Sequence, residues 1–185
     1  MLVRNIETLP IPLKDAFIIK ASEFRDERGS FYKMYNEDAL IANGVKPYFS
    51  EEYISVSKKN VLRGLHYQEG EHAQAKLIMC TRGEVYDVIV DLRIPSPTYA
   101  KWFGTKLTEM ERNALYAPRG FAHGFIALTD YAEVHYMADN RYAPETECGL
   151  IWNDAKLNIQ WPCNEPILSQ KDRKWPSFRD CKKFK

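Results

Sequence analysis

Lys76-Leu77-Ile78-Met79-Cys80-Thr81-Arg82-Gly83-Glu84-Val85-Tyr86-Asp87-Val88-Ile89-Val90-Asp91-Leu92 is the stretch whose reading decides the fold. Its apolar and β-branched residues predict strands over Lys76 to Thr81 and Val85 to Leu92. Arg82-Gly83-Glu84 between them predicts a hairpin, with glycine supplying a positive φ. Along Val85 to Leu92 the side chains alternate: Tyr86, Val88, Val90 and Leu92 share one face, Asp87 and Asp91 the other. Period-two alternation of this kind places one face toward a core.

Working outward, Trp102 to Leu107, Ala114 to Tyr116, Phe125 to Leu128 and Ala132 to Met137 read as further short strands. Ten prolines and nine glycines punctuate the chain with no repeat, low-complexity block or linker. Asn36 to Asn43 is the best helix candidate, because Asn36 can cap it and Glu37 and Asp38 fill its first turn. Trp161 to Lys185, polar and interrupted by proline, is expected to pack over the domain as loops or short helices. Short strands at this spacing predict an all-β sandwich, jelly roll or barrel with a few short peripheral helices, in one domain over 1–185.

The 185 residues can bury a sizeable core, and 45% hydrophobic with 13% aromatic content excludes overall disorder. No apolar run is long enough to span a bilayer as a helix, so no membrane partner is expected. The start, Met1 to Glu7, lacks the apolar stretch of a secretory signal. With 26 Lys plus Arg against 25 Asp plus Glu, the chain has no global field for nucleic acid; only the tail Lys182-Lys183-Phe184-Lys185 is locally basic. Cys80, Cys148, Cys163 and Cys181 show no C-x-x-C spacing and read as free thiols of a cytoplasmic protein.

Chemistry-bearing residues are few. Of four histidines, His66 lies in Val61-Leu62-Arg63-Gly64-Leu65-His66-Tyr67-Gln68 and His123 in Pro118-Arg119-Gly120-Phe121-Ala122-His123-Gly124-Phe125. Each has glycine and arginine nearby in an apolar stretch. Glycine admits a ligand close to the backbone, and arginine suits phosphate. Arg63 and His66 differ by an odd number and would face opposite sides of a regular strand, so a bulge or twist near Gly64 is needed if both reach one pocket. Read singly, Tyr136 fits an ordinary barrel tyrosine, Asp172 a solvated or capping carboxylate, Lys76 a snorkelling edge lysine, and Arg28 a turn-closing partner of Asp26.

Pro118-x-Gly120-x-x-His123 resembles the second half of the cupin signature, which implies a small jelly-roll barrel. Metal cupins carry His-x-His in the first half. Here His66-Tyr67-Gln68 lacks the second imidazole, and one imidazole with an amide is a poor ligand set, so no metal is expected and a metal-dependent cupin oxygenase or isomerase is disfavoured.

A closer resemblance runs along nearly the whole chain. Phe24-Arg25-Asp26-Glu27-Arg28-Gly29, Asn60 to Gln68, Lys76 to Cys80, Gly83 to Val88, Ser96-Pro97-Thr98, Pro118 to Phe125, Trp152-Asn153-Asp154, Trp161-Pro162 and Leu168-Ser169-Gln170-Lys171-Asp172 occur in an order that resembles the dTDP-4-dehydrorhamnose 3,5-epimerase family. The resemblance implies cofactor-independent epimerisation, at C3 and/or C5, of a nucleotide-linked 4-keto-6-deoxyhexose, serving deoxysugar biosynthesis such as that of lipopolysaccharide or O-antigen. It implies a homodimer with exchanged N-terminal strands. It implies His66 as base assisted by Asp172, Tyr136 as acid and Lys76 near the keto oxygen. It places Arg63 and Arg28 at the pyrophosphate, His123 in the pocket, and Phe24, Phe31, Lys33, Glu51 and Tyr142 among the substrate-binding residues. The chemistry asks for these types: a hydrogen next to a ketone is acidic because its removal gives an enolate, imidazole is a suitable base near neutrality, and inversion needs a donor on the opposite face. Tyr136 shares strand parity with Val134 and Ala138.

The chain departs from the family where Lys33 replaces a glutamate and Glu51-Glu52-Tyr53 replaces Gln-Asp/Glu-Asn. In the family these positions help hold the base and ribose. Lys33 donates and ionised Glu51 accepts, which matches the pairing edge of cytosine in sign. The alternatives are therefore a CDP-linked 4-keto-dideoxyhexose 5-epimerase, and a non-catalytic cupin that only binds a sugar nucleotide. A Lys33–Glu51 salt bridge would keep both residues away from the base.

Overall fold

The computed structural model describes residues 6–45 and 48–185. Of the segment in which a secretory signal was sought, residues 1–5 lie outside the described residues. The strands are β1 (Glu7–Pro10), β2 (Phe17–Lys20), β3 (Ser22–Asp26), β4 (Gly29–Lys33), β5 (Glu51–Ser57), β6 (Leu62–Gln68), β7 (Lys76–Arg82), β8 (Glu84–Asp91), β9 (Trp102–Thr108), β10 (Asn113–Ala117), β11 (Phe121–Ala127), β12 (Ala132–Ala138) and β13 (Glu147–Gly149). Among the described residues one α-helix, α1 (Glu37–Ala42), and two single 3₁₀ turns make up the peripheral helices. Asn36 Oδ1 accepts the Ala39 N–H at 2.9 Å and caps α1 as its sequence requires.

A six-stranded sheet in the order β1-β2-β10-β7-β12-β5 faces a five-stranded sheet in the order β13-β6-β11-β8-β9. The pairings within both sheets are antiparallel, the jelly-roll arrangement. Ile78, Leu115 and Val134 from one sheet and Ile89, Leu107 and Phe125 from the other fill the space between them. The outer face of the six-stranded sheet is covered over β2, β7 and β10 by Leu40 of α1 and by Val45. The outer face of the five-stranded sheet is covered by Leu157, Ile159, Phe178 and Cys181 of the C-terminal segment. That segment runs as turns and loops.

One expectation about the strands is corrected. Arg82-Gly83-Glu84 does not close a hairpin: β7 and β8 belong to different sheets, and Gly83, at φ +75°, turns the chain from one sheet into the other. The partners of β7 are β10 and β12, supplied from farther along the chain. On β8 the acidic face looks into the space between the sheets. Val85 and Ile89 share its parity and lie in the inter-sheet core, while Val88, Val90 and Leu92 pack under the C-terminal segment. Both faces are buried because the C-terminal segment supplies a third layer. The two acids tolerate it because each is paired, Asp87 with His123 and Asp91 with Arg93, Ser96 and Thr98.

The basic tail is spent on the fold. Lys182 pairs with Glu69, Lys183 Nζ donates to the Arg179 and Cys181 carbonyls, and Phe184 packs on Tyr67. All four cysteines are unpaired. Among the described residues no helix is long and apolar enough to cross a membrane.

Candidate active site

The bulge anticipated near Gly64 is present. β11 pairs with β6 as His123↔His66 and Phe125↔Arg63, so three steps on β6 oppose two on β11. The extra residue turns Arg63 and His66 to the same side, and both line one cavity between the sheets. Gly64 has φ +130°, and a Cβ there would lie 2.6 Å from Gly124 Cα. The two glycines beside the histidines thus serve a close approach of strand to strand, where the sequence suggested an approach by a ligand.

The cavity, about 320 Å³, brings together Arg63, His66, Lys76, His123, Tyr136 and Asp172. His66 and His123 come from the five-stranded sheet, Lys76 and Tyr136 from the six-stranded sheet. Lys76 shares the inward parity of Ile78 and Cys80. It is not an edge lysine, because β7 lies between β10 and β12. Tyr136 points inward with Val134.

Asp172 is buried, in place of the solvated carboxylate its polar segment suggested. Its Oδ1 accepts from His66 Nε2 at 2.5 Å and from Trp175 Nε1 at 3.2 Å, and its Oδ2 accepts from Ser169 Oγ at 2.8 Å. Burial acts to raise this carboxyl, but the His66 contact, with Ser169 and Trp175, holds it below the ordinary carboxylate range. With Asp172 on Nε2, His66 Nδ1 is the nitrogen free to take a proton. Burial pushes the Lys76 ammonium down to about 8, against the opposing pull of Glu147 and Asp87. Burial raises the Tyr136 phenol, so it keeps its proton at neutral pH. His123 Nε2 meets Asp87 Oδ2 at 2.8 Å, and its ring stands edge-on to Tyr136 at 5.8 Å.

A second lobe of about 350 Å³ adjoins the first, sharing Tyr53, His66 and Lys76 and adding Glu51, Tyr142 and Glu147. Glu51 Oε1 accepts the Tyr142 N–H at 3.0 Å, and no ion pair joins it to Lys33. Glu147 accepts from Tyr142 Oη at 2.7 Å and pairs with Lys171 at 2.5 Å, which joins the wall of one lobe to the wall of the other.

Four expected residues are not brought to either lobe within one chain. Phe24, Arg28, Phe31 and Lys33 sit on the β3–β4 hairpin, which pairs with neither main sheet. There Arg28 closes the turn with Asp26 at 2.5 Å. Arg119 is paired with Asp139 at 2.8 Å and lines neither lobe. Sequence reasoning missed Glu147, Lys171, Asp87 and Tyr53. Lys171 stands next to Asp172 and Tyr53 shares the parity of Glu51, so each carried a faint signal; Glu147 carried none. Gln68, where a metal cupin would hold its second imidazole, donates from Nε2 to the His72 and Arg141 carbonyls and accepts the Ala143 N–H on Oε1. Both ends of that amide are committed to the protein.

The sequence profile of the dTDP-4-dehydrorhamnose 3,5-epimerase family matches residues 10–180. The dTDP-4-dehydrorhamnose 3,5-epimerase of Salmonella typhimurium is 46% identical over 89% of this chain and 91% of that protein. The crystal structure of the enzyme so named from Elizabethkingia anophelis superposes with a TM-score of 0.93 at 44% identity, covering 96% of this chain and 98% of that one. That from Bacillus anthracis, with TDP and pyrophosphate bound, gives a TM-score of 0.90 at 40% identity over 94% of this chain and 99% of that one. With matches of this extent on the same jelly roll, the chain belongs to the dTDP-4-dehydrorhamnose 3,5-epimerase family.

Proposed function

We propose that this protein epimerises dTDP-4-dehydro-6-deoxy-D-glucose at C3 and C5 to dTDP-4-dehydro-L-rhamnose, by proton abstraction next to the ketone and return of a proton from the opposite face. The observation that carries the reading is that His66 and Tyr136 line one cavity from facing sheets, with Lys76 in the same wall. A sugar ring between the sheets has a base on one side and a donor on the other. His66 Nδ1 takes the proton from the carbon next to the ketone. Asp172, held in its charged form, stabilises the imidazolium that results. The electron pair moves onto the C4 oxygen, where the Lys76 ammonium meets the developing charge. Tyr136 then gives its proton to the same carbon from the other face, which inverts the centre. Arg63 is the cationic grip for the diphosphate, and the adjoining lobe with Glu51 and Tyr142 receives the nucleoside.

The homodimer belongs to the same reading. The β3–β4 hairpin carries Phe24, Arg28, Phe31 and Lys33 away from its own sheets and leaves Phe31 61% exposed, which suits a hairpin that completes a partner's nucleoside lobe. The four unpaired cysteines support placing the enzyme in the cytoplasm. The CDP-linked substrate and the non-catalytic cupin are not favoured, since the relatives are named for epimerisation of dTDP sugars.

The reading is tested by incubating the protein with dTDP-4-dehydro-6-deoxy-D-glucose in deuterated water and following the sugar by NMR. Deuterium at C3 and C5 together with the L-rhamno product supports it. A sugar that stays fully protonated overturns it.

A further inference from the structure

The two lobes meet at Tyr53, a residue the mechanism above does not use and one that stands where the family resemblance leads to asparagine. Tyr53 and Tyr136 are Cα partners across β5 and β12. Their rings stack at 4.8 Å between centroids with 18° between planes. Tyr136 is thus bounded on its face by Tyr53 and on its edge by His123, which Asp87 fixes in turn. β5 is an edge strand, with one neighbour in its sheet. Its position is set from across the cavity by Arg63, which donates to Ser57 Oγ and to the Val56 carbonyl, each at 3.0 Å.

A phenol that returns a proton must have its oxygen over the target carbon. The oxygen lies on the line of the Cβ–Cγ bond, so turning the ring about that bond does not move it; its place follows from the first side-chain torsion and from what packs against the ring. An aromatic face laid flat on the ring, with His123 at its edge, keeps the ring from tilting and so holds its oxygen in place; an asparagine offers no such face. We propose that Tyr53 is a positioning residue for Tyr136: by packing on its face it holds the ring, and with it the phenol oxygen, over the target carbon, and so decides whether the enolate is reprotonated with inversion. Abstraction by His66 from the opposite sheet does not depend on this contact. Removing the stack therefore lowers inversion and leaves exchange of the carbon-bound hydrogens with solvent. The inference rests on the reading of Tyr136 as the acid.

The test measures two rates on the same sample, solvent deuterium entry at C3 and C5 and formation of inverted product, for wild type, Tyr53→Leu, Tyr53→Phe and Tyr136→Phe. Thermal unfolding verifies that each variant is folded. In Tyr53→Leu, inversion is expected to fall roughly ten- to a hundredfold, with exchange changed about twofold or less. Tyr53→Phe keeps the ring face and is expected to restore the wild-type ratio of inversion to exchange. A wild-type ratio in Tyr53→Leu while Tyr136→Phe is impaired overturns this inference alone. Loss of inversion in Tyr53→Phe also overturns it, since the hydroxyl would then be acting chemically. Normal inversion in Tyr136→Phe removes the acid itself, and the inference with it.

Discussion

His66 Nε2 and Asp172 Oδ1 meet at 2.5 Å although 106 residues separate them in the chain. One comes from a central strand, the other from a turn in the C-terminal layer, and Ser169 and Trp175 hold that turn's carboxylate in place. The C-terminal segment is therefore both the cover of the five-stranded sheet and the source of the group that charges the base. His66→Ala is expected to lower solvent exchange at the sugar carbons roughly 10²- to 10⁴-fold in a folded protein. Asp172→Asn, which leaves the imidazole without its anion, is expected to lower it about a hundredfold or more. Single-turnover exchange measured by NMR decides both, and wild-type exchange in His66→Ala removes the assignment.

The same carboxylate makes a prediction about stability. The folded Asp172 carboxyl sits below its ordinary value, so it contributes stability above the unfolded pKa and loses it as pH falls through the folded one. Asp172→Asn is expected to be less stable than wild type near neutrality, with the gap closing in acid. Urea unfolding at several pH values measures the gap, and a gap that does not shrink on acidification contradicts the ionised pair.

Lys76 sets the alkaline side of the activity. Its ammonium, pushed down to about 8 by burial, is charged below that pH and neutral above it. Stabilisation of the enolate oxygen requires the charged form, so turnover is expected to fall as pH rises through about 8. Lys76→Met is expected to lose rate at all pH values, and to lose this alkaline limb with it. A limb that survives in Lys76→Met belongs to another group.

How much of this was legible depended on whether the signal was local. The strands from β7 to β12 and the Asn36 cap were, since each follows from neighbouring residues, whereas β1 to β5 and β13 were not among the strands expected. Pairing was not: Gly83 announced a turn, but which strands flank β7 is decided by β10 and β12, far along the chain. Period two separated the two faces of β8 without saying what covers each: the acidic face looks into the space between the sheets, and the C-terminal layer covers the other. The opposite-face problem of Arg63 and His66 was visible as an odd spacing, and its answer, one extra residue in β6, lay where Gly64 pointed. Glu147 and Lys171 had no sequence signal as a pair, because their contact joins β13 to a turn beyond it.

Gly64 offers a direct test of that bulge. Alanine there needs a φ near +130° and brings its Cβ to 2.6 Å from Gly124 Cα and 2.9 Å from the His123 carbonyl oxygen, both backbone atoms that cannot swing aside. Gly64→Ala is expected to cost roughly 2–5 kcal/mol of stability, from backbone strain and overpacking together. Because His66 and His123 flank the contact, activity is expected to fall even where the variant remains folded. An unchanged urea midpoint would show that β6 and β11 can separate without penalty.

The hairpin residues make the last prediction. Arg28 lies in the turn of β3–β4, where among the described residues it pairs with Asp26, and it lines neither lobe of its own chain's cavity. If the hairpin completes the partner's site, each active site takes His66 from one chain and Arg28 from the other. Arg28→Ala and His66→Ala homodimers then lack function in both sites. A mixed dimer has one site with both residues native and one with neither. Random reassortment makes half of all dimers mixed, so recovery is expected to approach about a quarter of wild-type activity after co-refolding equal amounts of the two chains. If Arg28 serves its own chain's site, every site in the mixed dimer lacks one residue and nothing is regained. Sedimentation velocity on the refolded mixture establishes that dimers have formed, and an active species sedimenting as a monomer eliminates the shared site outright.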